Sequence, residues 1–135
     1  MQLTFKINKP IDMVFDYLTD MQKFVSVHPV ISKIDRLTSN NYLVYETLKF
    51  GFIAISFTYS VTIDSNFKER TVVMRATVMK LTKIEMSYKL NTENNSTLIR
   101  ETILFKSPLP IKILLQNVFR KQHKRLFENI ESFVK

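Results

Sequence analysis

Two apolar rhythms run through this chain. Through most of it apolar and polar residues alternate; over Pro108–Lys135 the apolar residues recur at helical spacing. Ile111, Leu114, Leu115, Val118, Phe119, Leu126, Ile130 and Phe133 fall on one face at about 100° per residue. Arg120, Lys124 and Glu131 take the opposite face, with Lys121 and Glu128 on its flank. The pattern predicts one long amphipathic helix, with Pro108 and Pro110 at its start, where a missing N–H is harmless. Gln122 interrupts the stripe near its middle. It reads either as a buried amide satisfied by backbone or water, or as a polar contact to a ligand in an apolar cavity. His123, at the edge of the stripe, is expected to be structural or solvated, with no partner that makes it a base.

Earlier, Gln2–Asn8 alternates with Leu3, Phe5 and Ile7 on one side, a short half-buried strand. Asn8 is a candidate helix cap, Pro10 suits a first turn and Asp12 suits the N-terminal dipole. Ile11, Val14, Phe15 and Leu18 then form a helical face. Asp20 opens a second short helix through Met21, Phe24 and Val25, and His28-Pro29 ends it, because a residue before proline is pushed out of helical geometry. From Val30 the period becomes two. Strands are predicted over 30–38, 41–49, 52–63, 70–78, 82–91 and 97–106. In the third, Ile53, Ile55, Phe57, Tyr59, Val61 and Ile63 alternate with smaller or polar residues, so one sheet face meets a core and one meets water. The connections are too short for crossover helices, so the neighbours are antiparallel.

Composition narrows the function. A length of 135 residues predicts one domain over 1–135. Without cysteine there is no disulfide framework, thiolate metal site or thiol nucleophile. His28 and His123 are the only histidines and lie in no metal-ligand spacing, so no metal and no cofactor are expected. No nucleophile-elbow pattern occurs. The N-terminus lacks a signal-peptide pattern and no apolar run nears the about 20 residues of a membrane span, so a cytoplasmic setting is expected. The net charge of +8 invites nucleic acid, an anionic membrane or an acidic ligand. The Arg120–Arg125 cluster has its nearby aromatics, Phe119 and Phe127, on or beside the core stripe, which argues against nucleic acid.

The order of strand, two short helices, meander and long helix, with Asp16-Tyr17-Leu18-Thr19-Asp20 ahead of His28-Pro29, resembles the START-like (SRPBCC) superfamily. This is the helix-grip fold of polyketide cyclase-like, lipid-transfer and pollen-allergen-like proteins. The resemblance implies an α+β fold: a seven-stranded antiparallel sheet wrapped around a long C-terminal helix, two short helices between strands one and two, and a cavity between sheet and helix. It also implies a hydrophobic ligand, and in a minority of members an enzyme. The glycine-rich loop of the plant allergen branch is missing, since Gly51 is the only glycine.

On that plan Phe57, Tyr59, Met74, Met86, Tyr88, Leu115, Phe119 and Gln122 are the candidate ligand-binding residues. Alternate turns of a meander share one end, which gathers Phe50, Phe52, Met79, Leu81 and Leu109, ringed by Lys49, Lys80, Lys83, Lys106 and Lys112. These apolar residues either fold inward and cap the core or form a cavity mouth with a basic rim. Such a rim suits an acidic, amphipathic guest or transient contact with an anionic membrane. Glu46, Arg100 and Glu101 lie in strands whose inward phase is ambiguous; the expectation for each is an outward charge paired across strands. An inward Glu101 would be a candidate base. Three functions follow: a carrier or binder of a hydrophobic small molecule, a cyclase- or dehydratase-like enzyme marked by a buried Glu touching Tyr or His, or a protein-docking module marked by a collapsed interior. No catalytic residue is assigned from sequence.

Overall fold

The computed structural model describes residues 1–133; the last two residues of the predicted helix and the side chain of Phe50 lie outside the described part. The element order is β1 (Gln2–Ile7), α1 (Ile11–Thr19), α2 (Met21–Val27), β2 (Ile31–Arg36), β3 (Asn41–Phe50), β4 (Ile53–Asn66), β5 (Thr71–Val78), β6 (Thr82–Glu93), β7 (Ser96–Lys106) and α3 (Lys112–Phe133). The seven strands form one sheet in the order β1-β7-β6-β5-β4-β3-β2. Every pairing is antiparallel, so the predicted meander is present with β1 closing beside β7.

Local chemistry sets the element ends. The Asp20 carboxylate accepts from the backbone N–H groups of Gln22 (3.0 Å) and Lys23 (3.2 Å) and caps α2 as expected. Asn8 does not cap α1: Pro10 occupies that position with no side-chain bond. The closing helix begins at Lys112 rather than Pro108. Ser107 and Leu109 each precede a proline, which drives both out of helical geometry and leaves Pro108–Ile111 as a loop.

The core lies between α1, α2, the sheet and the C-terminal half of α3. Val14, Leu18, Tyr88, Leu90, Ile99, Leu126, Phe127 and Ile130 are almost completely buried there. Full burial stabilises each such aliphatic or aromatic side chain by about 1.5–3 kcal/mol. All the buried residues of α3 fall between Gln122 and Ile130. Its N-terminal half is loosely seated, and Ile113 and Leu114 are exposed.

The β3–β4 hairpin outgrows its neighbours. β5 pairs with β4 only from Ser60 onward, and β2 pairs with β3 only as far as Glu46. Residues 48–55 therefore form a projecting two-stranded ribbon, with Gly51 at its tip at a φ of 62°. This corrects the inward reading of the predicted strand 52–63. Its alternation holds from Phe57 to Ile63, but Ile53 and Ile55 are exposed because no helix covers the ribbon.

Candidate functional site

Between α3 and the concave face of the sheet lie two small adjoining cavities. The outer one, about 70 Å³, is lined by Leu48, Phe57, Ala76, Val78, Ile84, Leu115 and Val118. The inner one, about 30 Å³, is lined by Met21, Phe24, His28, Val44, Met74, Tyr88 and His123 among others. Glu46, Tyr59, Met86, Phe119 and Gln122 line both. All eight residues expected to contact a ligand therefore border this space. Their common origin is the inward phase of β4, β5 and β6 facing one side of α3.

Sequence reasoning placed Tyr59 and Gln122 in this interior but missed its acidic and imidazole groups. Glu101 is inward, not outward: it is 1% exposed on β7, opposite Tyr88 in register. His123 is 2% exposed on α3 and is not an edge residue. Its Nδ1 lies 2.7 Å from Oε1 and 2.6 Å from Oε2 of Glu101, so one N–H faces both carboxylate oxygens. The geometry supplies the partner that the sequence did not reveal, because a strand and a helix 22 positions apart meet only in the fold. Glu46 also turns inward, accepting a hydrogen bond from the Tyr59 hydroxyl at 2.8 Å. Arg100 is exposed, as expected.

Burial sets the protonation of these groups. It pushes the Glu46 carboxyl up, partly offset by the Tyr59 hydrogen bond. Burial, then the Glu46 charge beside it, holds the Tyr59 hydroxyl well above the usual range. Tyr88 is raised in the same way by burial and by Glu101. His28 moves the other way, down to about 3, through burial and the neighbouring His123. Its Nδ1 accepts from the backbone N–H groups of Val30 and Ile31, both at 3.2 Å, so the neutral ring carries its proton on Nε2.

Of the residues expected at the cavity mouth, the side chain of Phe50 lies outside the described part and the other four lie on the surface. Phe52 is 100% exposed, and Met79, Leu81 and Leu109 are also exposed. They do not fold inward to cap the core, and none lines either cavity. Lys49, Lys80, Lys83, Lys106 and Lys112 are exposed, and none pairs with a carboxylate among the described residues. Among those residues no helix is long and apolar enough to cross a membrane.

A curved seven-stranded sheet around a C-terminal helix, with two short helices after the first strand, is the START-like arrangement. The model of the family described as the CoxG subunit of carbon monoxide dehydrogenase matches residues 4–134. The chain belongs to the CoxG family. No curated protein sequence matches this CoxG-family chain. Among solved structures it is similar to Ara h 8.0201, at 15% identity and a TM-score of 0.80, covering 99% of this chain and 95% of that one. It is also similar to TTHA0849 from Thermus thermophilus, at 10% identity and a TM-score of 0.72, covering 97% and 93%. The Zhui aromatase/cyclase from Streptomyces sp. R1128 matches at 11% identity and a TM-score of 0.67, covering 96% and 89%. At such identities the likeness establishes the fold, and the function has to be argued from the site.

Proposed function

We propose that this CoxG-family chain binds a hydrophobic or amphipathic small molecule between α3 and the sheet. The observation that carries this is a space left between apolar walls and lined by polar groups, where a collapsed core would have been simpler to build. A few fixed polar groups in an apolar pocket are how small-molecule sites set orientation. The two cavities together hold only a few waters, at about 30 Å³ each. A larger guest enters by displacing the N-terminal half of α3, which no fully buried side chain anchors. The exposed apolar end with its lysine rim is the loading surface, making brief contact with an anionic membrane. The chain then works as a carrier in the cytoplasm.

Native mass spectrometry of freshly purified protein, followed by solvent extraction of anything bound, tests the reading. A stoichiometric lipid-like or polycyclic adduct supports it. A clean mass that stays clean when fatty acids and isoprenoids are offered overturns it.

The Glu101–His123 pair favours a second reading, an acid–base enzyme of the cyclase or dehydratase kind. Glu101 orients the ring, leaving Nε2 as the group that would exchange a proton with a substrate. Deuterium incorporation into an offered enolisable ketone in heavy water, lost in His123→Phe, would support that reading; equal incorporation by both proteins would remove it.

A further inference from the structure

The sign of charge reverses between the rim and the interior. Five lysines surround the apolar end, and with the net charge of +8 they led the sequence to predict an acidic guest. No lysine or arginine lines either cavity. Glu46 lines both, and Glu101 lies directly behind His123. Of the two histidines among the described lining residues, His28 uses its Nδ1 as an acceptor and the Nδ1 of His123 already faces both oxygens of Glu101. A carboxylate brought into this space would lose its hydration beside the acidic Glu46, with Glu101 behind His123 and no lysine or arginine among the lining residues to offset it. Such burial of an unpaired charge is strongly unfavourable.

Two side chains in the same lining have hydrogen-bonding capacity to spare. Gln122 is 9% exposed, and its side chain makes no hydrogen bond among the described residues. Its amide borders both cavities, where it can donate through the NH₂ group and accept through the oxygen. His28 commits Nδ1 to two backbone N–H groups, and its Nε2–H has no partner among the described residues. Both groups are neutral donors, suited to an oxygen that accepts.

We infer that the polar end of the guest is a neutral oxygen group, a carbonyl or a hydroxyl, seated against His28 and Gln122, and that a carboxylate head is rejected by Glu46 and Glu101. This deepens the guest-binding proposal and rests on it. The lysine rim attracts an anionic surface without selecting an anionic cargo.

The test is a nuclear magnetic resonance titration at neutral pH with three probes of matched chain: octanol, methyl hexyl ketone and octanoate. Octanol and the ketone are expected to bind at least about tenfold more tightly than octanoate, about 1.4 kcal/mol. Their shifts should centre on His28 and Gln122. Gln122→Leu should weaken the two neutral probes and leave octanoate unchanged, and Glu46→Gln should narrow the gap by admitting octanoate. Octanoate binding as well as the neutral probes, or shifts that avoid His28 and Gln122, would overturn the inference while leaving guest binding intact. Failure of all three probes, together with a clean native mass, would overturn both. The comparison on the unaltered protein decides the matter even if a variant misfolds.

Discussion

His28 and His123 share one interior and are held there in opposite ways. His28 is neutral because burial desolvates its ring and His123 lies nearby, which lowers its pKa to about 3, and its Nδ1 serves as an acceptor. An unfolded chain takes up this proton near pH 6.5, so between those values the unfolded state binds more protons. The His28 contribution to stability is therefore complete above about pH 6.5 and declines as pH falls toward 3, by up to about 1.4 kcal/mol per pH unit. Asn at this position can supply a similar acceptor without titrating. His28→Asn should flatten the acid limb of a denaturation-midpoint profile; a profile parallel to that of the unaltered protein would show that His28 is not responsible. His123, by contrast, is held by a carboxylate. Removing one member of a buried pair strands the other, so Glu101→Ala should cost about 3–5 kcal/mol in denaturant unfolding. Glu101→Leu with His123→Phe should recover much of that loss. Neither role was legible in sequence. Ile99-Arg100-Glu101-Thr102-Ile103 alternates acceptably in both phases, and a charged residue reads as outward until its partner is known.

At the scale of elements, α3 behaves as two helices joined end to end. From Gln122 to Ile130 it is locked by apolar burial and by the Asn129 amide, which donates to the Val27 carbonyl at 2.8 Å. From Lys112 to Phe119 it rests on the rim of the cavity. Amide hydrogen exchange should be faster over Lys112–Phe119 than over Gln122–Ile130, and a bound guest should slow the first segment selectively. Uniform protection along α3 would argue against entry beneath its N-terminal half. Alternation carried most of this architecture: each strand was readable to within a few residues, because a sheet with one wet face must alternate. The helix start was misread because prolines that suit a first turn also restrict the residues before them. The half-and-half seating of α3 was unreadable, since its apolar stripe continues on both sides of Gln122 while only the C-terminal half is buried.

Across the whole molecule, apolar and basic groups concentrate at the end where the β3–β4, β5–β6 and β7–α3 connections meet. Phe52, Met79, Leu81 and Leu109 stand clear of the surface with lysines around them. Each lysine close to an anionic bilayer adds about 1 kcal/mol of attraction. Vesicles containing anionic lipid should therefore carry the protein down on sedimentation, less so as salt is raised. Phe52→Ser with Leu81→Ser should release it without lowering its unfolding midpoint. Unchanged co-sedimentation of the double variant would remove the membrane from the account and leave this end to a protein partner. Alternation of turns in a meander was enough to gather these residues at one end from sequence. Whether they folded inward was not, because exposure there depends on how far the ribbon overruns the sheet.

That overrun exposes backbone as well as side chains. From Ile53 to Tyr59 one edge of β4 has no neighbouring strand, and the stretch contains no proline and no charge. Such an edge is a template on which another extended chain can add itself. This unpaired edge is thus a place where concentrated chains would zip together into larger assemblies. Ser56→Lys would discourage that zipping by placing a charge on the exposed ribbon.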